Sequence, residues 1–150
     1  MSLIQYEVSN FAKADFQSRS NLKVWDGQPY LGLGCGAHSF DGVNRWGNVR
    51  SMRKYMESVG REEPPRDFME TPTRLQQASE RLMLSLRRPE GLNILSWQEE
   101  FQIGLSLEQK NQMEKLKDQD LVSWESPILK LTTEGMLLAD AITAELMPEA

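Results

Sequence analysis

The chain has 150 residues, enough for one domain or for one small domain and part of another. Its net charge of −5 is uneven: residues 1–104 are balanced, while residues 105–150 carry 4 basic against 9 acidic groups, which argues against a phosphate-binding surface there. No apolar run approaches the ~20 residues of a membrane span, the start MSLIQYEVSN has no signal-peptide pattern, and the single cysteine, Cys35, excludes an internal disulfide and fits a reducing cytoplasm.

Leu3–Val8 alternates as a strand, and Ser9–Ser20 is polar with scattered aromatics, Phe11 and Phe16. Tyr30–Ala37 reads as a strand carrying three glycines, Gly32, Gly34 and Gly36, in five positions. It leads into His38, the only histidine, and Ser39. Alternate glycines leave one strand face without side chains, which weakens the strand and marks either a bulge or a place where a ligand or another backbone comes close. The segment lacks the helix and third glycine of a dinucleotide fingerprint, because FDGVNRWGN follows as a turn-rich stretch. Arg50–Val59 reads as a short helix with Met52, Tyr55, Met56 and Val59 on one face. Gly60–Asp67, with Pro64–Pro65 among charges, reads as a hinge.

Thr71–Pro72 is a helix start signal, followed by an apolar stripe at Leu75, Ala78, Leu82 and Leu86. Pro89–Gly91 ends that helix, and Leu95–Phe101 is a second, short one. Ser106 and Gln109 form a capping-box pattern opening a helix to about Lys117, with Leu107, Met113 and Leu116 inward. Leu121–Trp124 and Ile128–Thr132 flank Glu125–Ser126–Pro127 as a hairpin. Thr133–Leu146 is expected as one closing helix with Met136, Leu137, Ala141 and Leu146 on its core side.

Helix, short helix, helix, hairpin, helix is the order of a winged-helix domain. The helix before the hairpin sets Lys110, Lys115 and Lys117 against Glu108, Glu114 and Asp118 in an acidic region, so a packing or docking module fits better than a DNA reader. The fold class expected is α+β, with residues 1–60, a linker at 61–71, and a winged-helix-like domain at 72–150.

Four segments taken together, YEVSNFAK (Tyr6–Lys13), SNLKVW (Ser20–Trp25), YLGLGCGAHSF (Tyr30–Phe40) and LTTEGMLLAD (Leu131–Asp140), resemble the oxygen-independent coproporphyrinogen III oxidase-like radical SAM proteins, the group that includes the HemW heme chaperones. The resemblance covers nearly the whole chain, as a C-terminal portion. It implies that residues 1–60 are the last strands of a partial radical SAM barrel, capped by the winged-helix-like domain. It implies S-adenosylmethionine and an iron–sulfur cluster in the full-length protein, with heme or a porphyrin as ligand or substrate. Chaperone members deliver heme to respiratory proteins, and oxidase members decarboxylate two propionates; the resemblance does not separate the two.

The family's CxxxCxxC motif is absent, and one cysteine cannot hold a cluster. Met1–Ser2–Leu3 reads as a cloning scar on a truncated gene, so this segment by itself is expected to be inactive and to hold no cofactor. Where chaperone members read HNxxYW, Ser20 and Val24 replace the histidine and the tyrosine. Position by position, the resemblance puts Phe11 and Ala12 near the S-adenosylmethionine site and Asn21, Leu22 and Trp25 on a substrate-facing loop. It puts Gly34, Gly36, Ala37 and His38 on a cavity-lining strand, where His38 offers a polar contact or a metal ligand. Such aromatics as Phe11 and Trp25 are more often core than ligand platforms, a carboxylate such as Glu7 more often solvated or capped than a general base, and arginines such as Arg45, Arg50 and Arg53 more often a solvated face than propionate partners. Barrel strands without neighbours predict a strand-mediated dimer or a disordered N-terminal region. A different class stays open: a stand-alone winged-helix interaction module without a cofactor.

Overall fold

A computed structural model describes residues 2–148; Met1, where the scar was read, and Glu149 and Ala150 lie outside them. The elements are β1 (Ile4–Glu7), β2 (Asn10–Ala12), α1 (Arg19–Trp25), β3 (His38–Phe40), β4 (Arg45–Asn48), α2 (Met52–Gly60), β5 (Arg66–Glu70), α3 (Arg74–Leu86), β6 (Leu92–Asn93), α4 (Ile94–Phe101), α5 (Leu107–Asp118), β7 (Val122–Glu125), β8 (Ile128–Leu131), α6 (Thr133–Met136) and α7 (Ala139–Leu146). They form two compact units, one of residues 2–26 with 74–148 and one of Gly27–Thr73.

The first unit holds the hydrophobic core. The α3 stripe buries Ala78, Leu82 and Leu86 as its spacing requires. Trp97 of α4 lies beneath it, and its indole N–H donates to the Ala78 carbonyl at 3.0 Å. The sheet runs β6-β8-β7, with Leu129 of the central strand wholly buried. Both halves of the capping box at Ser106 and Gln109 are made. The inward face of α5 is Gln109, Met113 and Leu116, at i, i+4 and i+7. Leu107 falls outside that phase and is exposed, contrary to its expected inward position.

The closing helix is two helices. Thr132 caps α6, Gly135 sits so close to the Leu121 carbonyl that a Cβ would lie 1.8 Å from its oxygen, and α7 restarts at Ala139. The break resets the helical phase. Ile142, Thr143 and Leu146 turn inward, whereas Leu137 and Ala141, both expected in the core, are exposed.

At the N-terminal end β1 and β2 form a two-stranded antiparallel hairpin. Its turn is held by Glu7, which is 1% exposed and accepts from the Ser9 N–H at 2.8 Å and from the Asn10 amide. Glu7 is thus the capped carboxylate of the sequence reading. The Val8 N–H donates to the Arg87 carbonyl. Residues 19–25, expected as a loop, form α1, with the Ser18 hydroxyl accepting from the Asn21 N–H.

The second unit is a three-stranded antiparallel sheet, β3-β4-β5, with α2. The registers align His38, Gly47 and Phe68 in one row and Ser39, Trp46 and Met69 in the next. β5 occupies part of the stretch expected as a linker. The glycine segment is not a strand: only Tyr30 pairs, with Phe40, and the strand begins at His38. Gly34 and Gly36 have φ of +100° and +71°, a conformation outside the extended region and cheap only for glycine. Among the described residues of this unit no Ala, Val, Ile, Leu, Met, Phe, Trp, Tyr or Cys side chain is buried; its buried side chains are Ser39, Asn48 and Pro72.

Candidate cofactor-facing site

The glycine loop, residues 31–37, is tied down by three side chains from outside it. The wholly buried Ser39 hydroxyl accepts from the Gly32 N–H at 2.9 Å. The Tyr55 hydroxyl on α2 accepts from the Gly34 N–H at 3.2 Å. The Asn48 side-chain amide donates to the Gly34 carbonyl at 2.9 Å and to the Gly32 carbonyl at 3.4 Å. Backbone bonds from Gly36 N–H to the Val49 carbonyl and from Asn48 N–H to the Ala37 carbonyl complete the frame. The amides of all three loop glycines are therefore spent on the chain itself, so the loop does not offer them as an anion cradle.

The three glycines are required for different reasons. A Cβ on Gly32 would lie 2.1 Å from the His38 carbonyl oxygen, so that position serves a close backbone approach within the chain. Gly36 has room but needs its positive φ. Gly34 needs its φ too, yet no atom of the described residues lies within 4 Å of where its Cβ would point. That leaves open surface over Gly34. His38 is exposed on β3, with its ring edge-on to the partly exposed Phe68 at 5.5 Å and 62°. Phe68 in turn packs on Gly47, where a Cβ would lie 2.5 Å from its ring.

Of the three arginines read as a solvated face, Arg45 pairs with Glu70 at 3.1 Å and Arg53 with Glu57 at 2.9 Å. Asp41, in the turn between β3 and β4, accepts from the backbone N–H groups of Asn44 and Val43 and from the Asn44 amide. These bonds hold its carboxyl below the ordinary aspartate range.

The remaining candidates lie in the other unit. Phe11 is exposed on β2 and pairs with Gln5; Ala12 is half-buried opposite Ile4. Asn21, Leu22 and Trp25 are all half-buried on α1. Trp25 packs under the Arg87 guanidinium, 5.3 Å from the ring centre, and its buried indole N–H has no hydrogen-bond partner among the described residues. Arg87 pairs with Asp140, and Arg88 pairs with both Asp26 and Glu90. The structure thus gathers Gly34, Gly36, Ala37 and His38 in one loop and strand start, and places Phe11, Ala12, Asn21, Leu22 and Trp25 on the hairpin and helix of a different unit.

Asn48 and Tyr55 were not singled out by sequence as site residues. An asparagine closing a turn-rich stretch and a tyrosine on a helix face carry no mark of the bonds they make. Among the described residues no group of three or more His, Cys, Asp or Glu side chains could hold a metal ion. The residues present therefore do not fit an iron–sulfur cluster, which several thiolates must ligate. No helix among the described residues is long and apolar enough to cross a membrane.

No protein-family model matches the chain. Among solved structures, the Escherichia coli coproporphyrinogen III oxidase HemN, a radical SAM enzyme, superposes with a TM-score of 0.70 over 91% of this chain and 35% of its own, at 18% identity. The fold is that of part of a radical SAM enzyme. Among curated proteins, the heme chaperone HemW of Bacillus subtilis is 31% identical over 146 residues, covering 97% of this chain and 38% of its own length. HemW of Mycobacterium tuberculosis is 31% identical over 142 residues, 95% and 34%. The mitochondrial radical S-adenosyl methionine domain-containing protein 1 of Danio rerio is 29% identical over 160 residues, 97% and 35%. The chain is homologous to the C-terminal portion of HemW-type heme chaperones and related radical SAM proteins, and spans little more than a third of their length.

Proposed function

We propose that this chain is the C-terminal part of a cytoplasmic radical SAM protein of heme or porphyrin metabolism, of the heme-chaperone kind. Alignment over nearly the whole chain with proteins named for heme chaperoning carries the reading. S-adenosylmethionine and the cluster belong to the part of such a protein outside this segment. Residues 74–148 form its winged-helix-like domain, with α3, α4 and α5 ahead of the β7–β8 hairpin and β6 completing the sheet. This domain supplies docking surface for heme-accepting proteins rather than a nucleic-acid site.

Heme meets this chain at the glycine loop. Gly34 faces open space on its Cβ side, and the exposed His38 imidazole beside the Phe68 ring offers a nitrogen ligand and an aromatic neighbour. Ser20, in place of the family histidine, leaves His38 as the chain's single imidazole.

Hemin titration followed in the Soret region tests this. The chain is expected to shift the band, and His38→Ala to weaken binding at least tenfold while Lys110→Ala leaves it unchanged. A folded chain that gives no Soret shift, or one whose shift survives His38→Ala, refutes the heme-facing role of this loop. Conversion of coproporphyrinogen by the full-length protein would move the reading from chaperone to oxidase.

A further inference from the structure

We propose that α1 is a strap latched at Asp26, which opens away from α3 while the core of the first unit stays folded. The seven residues of α1 bury no side chain completely. A helix of that length does not hold by itself in water, so α1 persists only while it is seated. The seat is made at its C-terminal end. The Asp26 carboxylate pairs with Arg88, and the Asp26 carbonyl accepts from the Arg81 guanidinium at 3.3 Å. The Trp25 ring lies under the Arg87 guanidinium. At the other end, the Tyr6 hydroxyl accepts from the Ser18 N–H at 3.4 Å, near the limit of a hydrogen bond.

Three features make the seat easy to leave. The pair that closes it reaches solvent, with the Asp26 side chain 40% exposed and that of Arg88 21%, so salt screens it. Both arginines keep a carboxylate when α1 departs: Arg88 has Glu90 at 3.1 Å and Arg81 has Glu100 at 3.7 Å. The closed position also leaves two buried donors, the Trp25 indole N–H and the Arg87 Nε–H, without an acceptor among the described residues. Opening lets water reach them and removes that penalty. The core does not depend on the strap, since α3 buries Ala78, Leu82 and Leu86 and the Trp97 indole bonds the Ala78 carbonyl. Asn21, Leu22 and Trp25 move with α1, so the latch sets their exposure whichever ligand the chain takes.

Hydrogen exchange of the Asp26 amide, which bonds the Leu22 carbonyl at 2.8 Å only while α1 is formed, tests the proposal on the whole chain. Raising sodium chloride from about 0.05 to about 0.5 M should speed exchange there severalfold, while the Leu82 and Leu129 amides keep their rates. Asp26→Asn should speed it about fivefold at low salt, the scale of one such pair, and flatten the salt response. Arg88→Gln should do the same. The double variant should be no faster than either single one, because both remove one contact. An Asp26 amide that exchanges only together with Leu82 overturns the proposal, since α1 then opens only when the unit unfolds. So does a rate in Asp26→Asn within a factor of about 2 of the parent, a salt response that persists in that variant, or a double variant in which the two effects add.

Discussion

Replacing Asn48 separates a held glycine loop from one that merely follows the chain. The Asn48 side chain is 8% exposed and donates to two loop carbonyls, at 2.9 Å and 3.4 Å. The longer contact is near the limit of a hydrogen bond, so one good bond decides the energy. Removing the partner of a buried carbonyl costs ~1–3 kcal/mol. The loop is only half-buried and water can reach the freed oxygen, which puts Asn48→Ala at the low end, about 1 kcal/mol or a fivefold rise in local opening. Asn48→Asp sets carboxylate oxygens against two carbonyl oxygens and should open the loop further. Its sign with pH is fixed: a carboxyl surrounded by acceptors has its folded pKa raised, so the loop recovers as pH falls and the group regains a proton to donate. Hydrogen exchange of the amides of residues 32–37 reads both variants, while a core amide such as that of Leu129 reports the first unit. Loop rates that stay within a factor of about 2 of the parent in Asn48→Ala, less than the loss of one such bond allows, would refute the assigned role.

Two further outcomes are expected. Gly135→Ala brings a Cβ against the Leu121 backbone rather than a yielding side chain, so the α6 turn or the β7 strand entry must shift. Urea denaturation should show a loss larger than the ~1 kcal/mol of an ordinary glycine change, and parental stability would refute the contact. Asp41 has a depressed folded pKa, so the stabilisation of its turn is present above the ordinary aspartate range and is lost as pH falls through the depressed value. Exchange at the Val43 and Asn44 amides should rise over that fall relative to the intrinsic rate. It should stay level in Asp41→Asn, and equal pH profiles would remove Asp41 from this role.

What the sequence made legible was what local chemistry decides. The capping box at Ser106, the α3 stripe and the hairpin around Pro127 each depend on residues within a turn or two of one another, and each forms. The α7 face was misplaced because its phase depends on a break that Gly135 makes against Leu121, fourteen residues back. α1 went unread because a seven-residue helix with no buried position writes no stripe. The hinge reading of Gly60–Asp67 rested on Pro64–Pro65, and these prolines directly precede a strand that pairs with β4 over residues 66–70. The division into units follows the same rule. Residues 2–26 are held by Arg87 and its neighbours rather than by the residues that follow them in sequence, and composition along the chain carries no sign of that return.

The glycine segment shows most clearly where pattern and physics part. Alternation of glycines predicted a strand with one bare face, and that bare face argued for a ligand. Two of the glycines instead serve left-handed backbone, and one serves a contact with the chain's own His38 carbonyl. Glycine content alone thus no longer argues for a ligand, because the backbone needs all three in its absence. What remains is narrower and better founded. The space over Gly34 is open, the loop around it is fixed by Ser39, Asn48 and Tyr55, and the chain's one imidazole stands exposed at the loop's end. The buried Ser39 and Asn48 and the half-buried Tyr55 hold this surface in the folded chain, so part of the ordering cost of any binding there is met in folding. On the heme-facing reading proposed above, the weight falls on His38 and on the residues that hold its loop, Asn48 foremost, rather than on the glycines.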